Sequence, residues 1–167
     1  MYSRPKLRDL SQGSRIAFVR QFRNKTQDEI SGLLGAKGVC RRRTMTRYEK
    51  GDRNPSISRT KIIADLLDVS YYAIKQYDYN DANDLVYILL WMEELFPNYY
   101  FDLSEVVGND DILVNVRTFL KEWDVMKRRR KNREISYNKY IEWKLTYSLE
   151  HIDGWFRGNK YIWYKSF

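Results

Sequence analysis

Residues 26–55 constrain the fold more than any other part of this chain, because start and stop signals for short helices follow one another there with little room between them. Thr26 precedes Glu29 by three residues, the spacing at which a threonine hydroxyl and a glutamate carboxylate satisfy each other's backbone N–H groups at a helix start. That helix runs to Leu34 and Gly35 stops it. Residues 36–40 form a turn, and 41–50 form a further helix that Gly51 can end in the left-handed conformation, which costs glycine nothing. Helices this short are marginal in water on their own, so they must pack against others.

The flanking segments supply those partners. Ile16, Val19 and Phe22 recur at helical spacing over 14–24. Pro55 and Ser56 open a helix carrying Ile62, Ile63, Leu66 and Leu67, and Ser70 can cap a short one through Tyr77. Residues 1–13 read as an irregular basic arm with Arg4, Lys6 and Arg8. After the head, 84–96 is a strongly apolar helix broken at Pro97. Two β-prone runs, 99–107 and 112–116, flank the turn cluster Gly108, Asn109, Asp110 and Asp111, which predicts a hairpin. Helices are expected over 118–133 and 136–149, the latter with Tyr140, Trp143 and Tyr147 along one side, while 153–167 receives no assignment. The expected fold is mainly α: a five-helix head over 14–78, then a small α+β region over 79–167 made of a helix, a β-hairpin and a helical pair.

Charge separates these regions. The chain carries a net charge of +8, but residues 1–61 hold sixteen Lys and Arg against five Asp and Glu, whereas 79–116 hold eight acids and no base. Concentrated cations bind polyanions by displacing counterions from phosphate, so the head is the expected nucleic-acid surface. The basic run 127–133 has two readings, a solvated helix face or a second phosphate-contacting patch. The longest apolar run, 85–92, is too short to span a bilayer, and 1–10 lacks the apolar core of a signal peptide, so the expected location is the cytoplasm. One cysteine, Cys40, and one histidine, His151, leave no zinc-ligand spacing. No cofactor fingerprint or nucleophile motif is present, and the acids Asp110 and Asp111 fall in a turn cluster, so no enzymatic activity is expected.

Within 41–50, inward-facing Met45 and Tyr48 leave Arg42, Arg43, Thr46 and Arg47 on outer faces. Arginine is the usual reader of guanine in the major groove, through a bidentate pair to O6 and N7. Glu49 lies near a helix C-terminus, where the dipole disfavours a carboxylate, and either Arg20 or Arg53 can compensate it.

The order and spacing of four blocks resemble the helix-turn-helix domain of Cro/C1-type repressors, the Xre family. These blocks are Arg15 and Ile16 with Arg20; residues 26–30; residues 44–51 with Arg53 and Pro55; and Ile63 and Ala64 through to Val69 and Ser70. The resemblance implies that Arg42, Arg43 and Arg47 hold base-reading positions and that Gln27 meets phosphate or an adjacent base. It also implies that Arg20 pairs with Glu49 as part of the scaffold. Arg41, Thr46, Lys50 and Arg53 complete the set expected to face DNA. One departure bears on register: Ala36, Lys37, Gly38 and Val39 lengthen the turn, which leaves the placing of Arg41 and Arg42 open.

Residues 79–167 resemble, in order of elements alone, the C-terminal parts of regulators of this kind carried on bacterial mobile elements. Trp123, Trp143, Trp155 and Trp163 have four readings there: core, dimer interface, ligand pocket, or a platform on which a nucleobase stacks. The expectation is a sequence-specific regulator of transcription that binds double-stranded DNA, pairs as a homodimer to read two half-sites, and takes any protein or small-molecule effector at its C-terminal region. The competing expectation is an antitoxin-like protein that holds a partner through that region while the head autoregulates.

Overall fold

A computed structural model describes residues 4–36, 38, 42–79, 81–97 and 111–149. The described residues form α1 (Gln12–Phe22), α2 (Gln27–Leu33), α3 (Arg43–Lys50), α4 (Ile57–Leu67), α5 (Tyr71–Ile74), α6 (Ala82–Leu95), α7 (Asp111–Lys131) and α8 (Tyr137–Thr146). No β-strand occurs among them.

Local signals set most boundaries in the head. The Ser11 side chain accepts from Ser14 N at 3.3 Å, starting α1 two residues earlier than its apolar periodicity implies. The capping box forms in both directions, with Glu29 N on Thr26 Oγ1 at 3.1 Å and Thr26 N on Glu29 Oε2 at 2.6 Å. Gly51 ends α3 at φ 81°, and Asp68 ends α4 at φ 51°, a left-handed position that a short polar side chain tolerates. Helix α5 is shorter than expected, because Lys75 turns extended. Arg15 explains this: it donates to the carbonyls of Ala73 (3.1 Å) and Lys75 (2.8 Å), which are thereby held for a buried guanidinium.

The expected β-hairpin does not form. Residues 112–116 belong to α7, while its other strand, 99–107, lies outside the described residues. Ile112, Val114 and Val116 alternate as a strand would, but the helical period is the one that buries area: Val116, Phe119, Trp123 and Met126 all face the core while Val114 stays 45% exposed. Asp111, read as a turn residue, is instead the first residue of α7.

One hydrophobic core runs through both regions. Phe18 of α1 meets Trp91 of α6 edge-on at 5.3 Å between ring centroids, and Trp91 Nε1 donates to the Ala73 carbonyl at 3.0 Å. Phe119 stacks on Trp123 and meets Tyr147 edge-on, so these three rings fill core, and Trp143 packs half-buried against it. Trp155 and Trp163 lie outside the described residues. Two lysines are buried with acids of the segment that reads as an acidic waist. Lys75 Nζ lies 2.8 Å from Asp84 Oδ1, and Lys144 Nζ lies 2.9 Å from Glu93 and 2.7 Å from Glu94. Burial alone would lower the Lys75 pKa, yet the Asp84 carboxylate wins and raises it. Asp84 also accepts from the N–H groups of Asp78 and Tyr79, fixing the passage from head to α6.

Candidate nucleic-acid interface

Helix α3 meets the body through Met45 and Tyr48, both buried, as their spacing predicts. Arg42, Arg43, Arg47 and Lys50 are exposed, Thr46 is half-buried, and Arg53 is exposed just beyond the helix. Arg41 lies outside the described residues. The helix begins at Arg43, so Arg42 stands at its N-cap, with no capping bond from its own side chain.

Three features that sequence reasoning missed seat this helix. Ser31 of α2 supplies the absent cap, its Oγ accepting from Met45 N at 3.2 Å in a buried position. No sequence pattern announces a cap delivered from another helix. Gly13 of α1 is the second: a Cβ there would sit 2.3 Å from the Tyr48 carbonyl oxygen and 2.9 Å from that of Glu49. Only glycine lets α1 approach the last turn of α3 so closely, and a glycine inside a helical run is the signal that could have found it. Third, Arg8 of the arm donates to the Glu49 carbonyl at 2.6 Å.

A chain of hydrogen bonds then leads from the interior to the exposed face. Arg20 grips Glu49 through two bonds, Nε to Oε1 at 2.5 Å and Nη2 to Oε2 at 3.0 Å, with both side chains largely buried. Arg20 Nη1 also donates to the Lys25 carbonyl at 2.6 Å, and this bidentate pair answers the question of what compensates Glu49. Glu49 Oε2 accepts a third bond, 2.7 Å from Gln27 Nε2. Because an ionised carboxylate can only accept, this bond orients the Gln27 amide and turns its oxygen toward α3. Arg42 Nε donates to that oxygen at 2.9 Å. Thr46 Oγ1 lies 3.1 Å from both Gln27 Oε1 and the Arg42 carbonyl, so its single proton is shared between them.

The structure therefore brings Gln27, Arg42, Thr46, Glu49 and Arg20 into one connected unit. Arg43, Arg47, Lys50 and Arg53 are exposed beside it. Two of the three arginines expected to read bases are left to meet solvent or a ligand, while the third is braced against Gln27. Below them Glu29 is held ionised, its pKa lowered first by the Thr26 backbone N–H and then by the Thr26 hydroxyl. Among the described residues, no group of three or more His, Cys, Asp or Glu could hold a metal ion, and no helix is long and apolar enough to cross a membrane. Compared with family models, curated proteins and solved structures, the chain gives no match.

Proposed function

We propose that this chain is a sequence-specific double-stranded DNA-binding regulator of transcription, with α3 entering the major groove. The observation that carries this reading is the line of bonds from Arg20 through Glu49 to Gln27 and Arg42, which fixes Arg42 and the seating of α3 beside the exposed Arg43 and Arg47 before any ligand arrives. Preorganisation of this kind reduces the side-chain ordering that association must otherwise supply. Arg43 and Arg47 are the base readers, able to present paired donors to guanine, whereas Lys50 and Arg53 meet phosphate. Gln27, at the first position of α2, holds Arg42 in place and borders the backbone. The likeness of residues 15–77 to Cro/C1-type repressors supports the same assignment. Pairing of two copies on an inverted repeat is the corresponding expectation for the assembly.

The test is selection from a random duplex pool by the full chain at near-physiological salt, followed by variants on the selected site. Arg47→Ala is expected to relax preference at one base pair, by about 1–3 kcal/mol of discrimination, and Lys50→Ala to weaken all duplexes alike. Absence of any enriched motif, or equal effects of both variants on selected and scrambled duplexes, would refute base reading by α3.

A further inference from the structure

We propose that the C-terminal end of α7 and the N-terminal arm together form a second phosphate-binding site for the same duplex, extending the DNA-facing surface away from α3. This inference rests on the DNA-binding reading above. Its centre is a cleft of about 450 Å³ lined by Arg4 of the arm, Arg130, Lys131 and Arg133 at the end of α7, Glu93 and Glu94 of α6, and Tyr137 of α8.

Three observations point to an anionic occupant. First, the carboxylates of the cleft are already engaged: Lys144 Nζ lies within 2.9 Å of both, and Tyr137 donates to Glu94 at 3.0 Å. With Lys144 counted, five cations meet two carboxylates, so about three positive charges are in excess, and gathering like charge costs energy that a bound anion would offset. Second, the Arg4 guanidinium lies 4.3 Å from the centre of the Tyr137 ring and that of Arg130 5.9 Å from it. A guanidinium laid against an aromatic face keeps its edge N–H groups for a phosphate. Third, Arg133 occupies the left-handed region at φ 62°, its N–H on the Arg130 carbonyl at 3.2 Å, where a helix end ordinarily takes glycine. An arginine kept in a strained position at the rim of a basic cleft is the kind of outlier that marks a working site.

The arm ties this cleft to the recognition helix. Arg4, Lys6 and Arg8 are exposed, while Leu7 between them is buried, so the three cations share the solvent side of a segment anchored by its apolar residue. Arg8 ends against the Glu49 carbonyl of α3 and Arg4 ends on Tyr137. Four residue steps span at most about 14 Å, the axial length of roughly four phosphates of one strand. A file of cations thus runs from the last turn of α3 to the end of α7, which suits a continuous sugar-phosphate backbone better than an isolated small anion.

The experiment measures binding of the full chain to a random-sequence duplex of roughly 30 base pairs, about three helical turns, across a salt series. The variants are Arg133→Gly, the pair Arg130→Gln with Arg133→Gly, and the control Lys121→Gln, an exposed cation earlier on α7. Arg133→Gly suits the backbone position, so it is expected to fold at least as well as the parent. Removing one cation that neutralises a phosphate should reduce the salt slope by about 0.9, so the pair should reduce it by about 1.8 and bind roughly 30-fold more weakly at about 0.15 M salt. Lys121→Gln should leave the slope unchanged. An unaltered slope in the paired variant, or an equal reduction with Lys121→Gln, would overturn the second site while leaving the α3 reading intact. A slope that holds while inorganic phosphate no longer raises the melting temperature of the paired variant would assign the cleft to free anions and overturn the proposal. A parent chain that does not bind the duplex at all would overturn both readings.

Discussion

Gly13→Ala sets two physical effects against each other, and the structure says which wins. On helix propensity alone alanine should stabilise α1, by about 0.5–1 kcal/mol. The added Cβ, however, would lie 2.3 Å from the Tyr48 carbonyl oxygen and 2.9 Å from that of Glu49. Both obstacles are backbone atoms, and they cannot swing aside as a side chain can. The last turn of α3 is pinned by Arg20 on Glu49 and by the left-handed Gly51, so relief requires moving α3 or α1 bodily. Overpacking of this kind costs about 1–3 kcal/mol, and the short approach distance places the expected cost in the upper half of that range. Net destabilisation of about 2 kcal/mol follows, which at a urea slope near 2 kcal/mol per molar lowers the unfolding midpoint by about 1 M. Ala17→Gly, in the same helix, measures the propensity effect separately and is expected to destabilise by up to about 1 kcal/mol. Glycine would then be the better residue at 13 and alanine the better at 17. A Gly13→Ala chain as stable as the parent would refute the close seating of α1 on α3, and with it the account of how α3 is held.

Glu49→Gln preserves shape but removes the charge that answers buried Arg20, and is expected to cost about 3 kcal/mol in denaturant unfolding; a cost under about 1 kcal/mol would mean the pair is solvated. Gly51→Ala meets no neighbour, so its cost should be conformational alone, about 1 kcal/mol, with the unfolding midpoint as the measure. Glu29 has a lowered pKa, so its contribution is present above the ordinary carboxyl value of 4.5 and is lost as pH falls through its lower folded value. Glu29→Gln retains both capping bonds and should therefore flatten the fall in unfolding midpoint between about pH 6 and about pH 3; an unchanged pH profile would count against the ionised cap. Arg23 makes a bidentate pair with Glu142 of α8, at 2.5 and 2.6 Å and partly exposed, and a double-mutant cycle to alanine should return a coupling of up to about 1 kcal/mol.

What could be read from the sequence and what could not divide along the range of the interactions. Thr26 with Glu29, Ser56, Ser70 and Gly51 act within a turn or two of their own position, and each does in the fold what its type and spacing predict. The inward face of α3 was legible for the same reason, since Met45 and Tyr48 obey one helical period. The cap from Ser31 and the hold of Arg15 on Ala73 and Lys75 depend on which helices become neighbours, and nothing local encodes that. Residues 112–116 misled because valine and isoleucine satisfy a period of two over a short run, whereas the deciding positions, Phe119, Trp123 and Met126, lie further on. The acidic segment was legible as charge but not as chemistry. Three of its acids, Asp84, Glu93 and Glu94, serve to bury Lys75 and Lys144, lysines far enough away in sequence that composition hides the pairing.

Those two lysines also bear on whether the head can stand alone. Cutting the chain after residue 78 would remove Trp91 from Phe18 and from the Ala73 carbonyl, and Asp84 from Lys75. It would also free Ser70 N from the Leu145 carbonyl, 2.8 Å away. Removing a buried aromatic ring costs about 3 kcal/mol or more, and an ammonium stripped of its buried partner about as much again, before any exposed area is counted. A whole domain is stable by only about 5–15 kcal/mol, so a fragment of residues 1–78 is expected to be largely unfolded or to populate a loosely packed state. Circular dichroism and urea unfolding of that fragment provide the measure. A cooperative transition within about 1 M of the full chain would show that α1–α5 carry their own core. In the expected case the C-terminal helices do more than follow the head: through Trp91, Asp84 and Leu145 they hold α1 and α5, and through α1 the seat of α3. A ligand or second copy that shifted α6 or α8 would then have a mechanical route to α3 through Phe18 and Gly13.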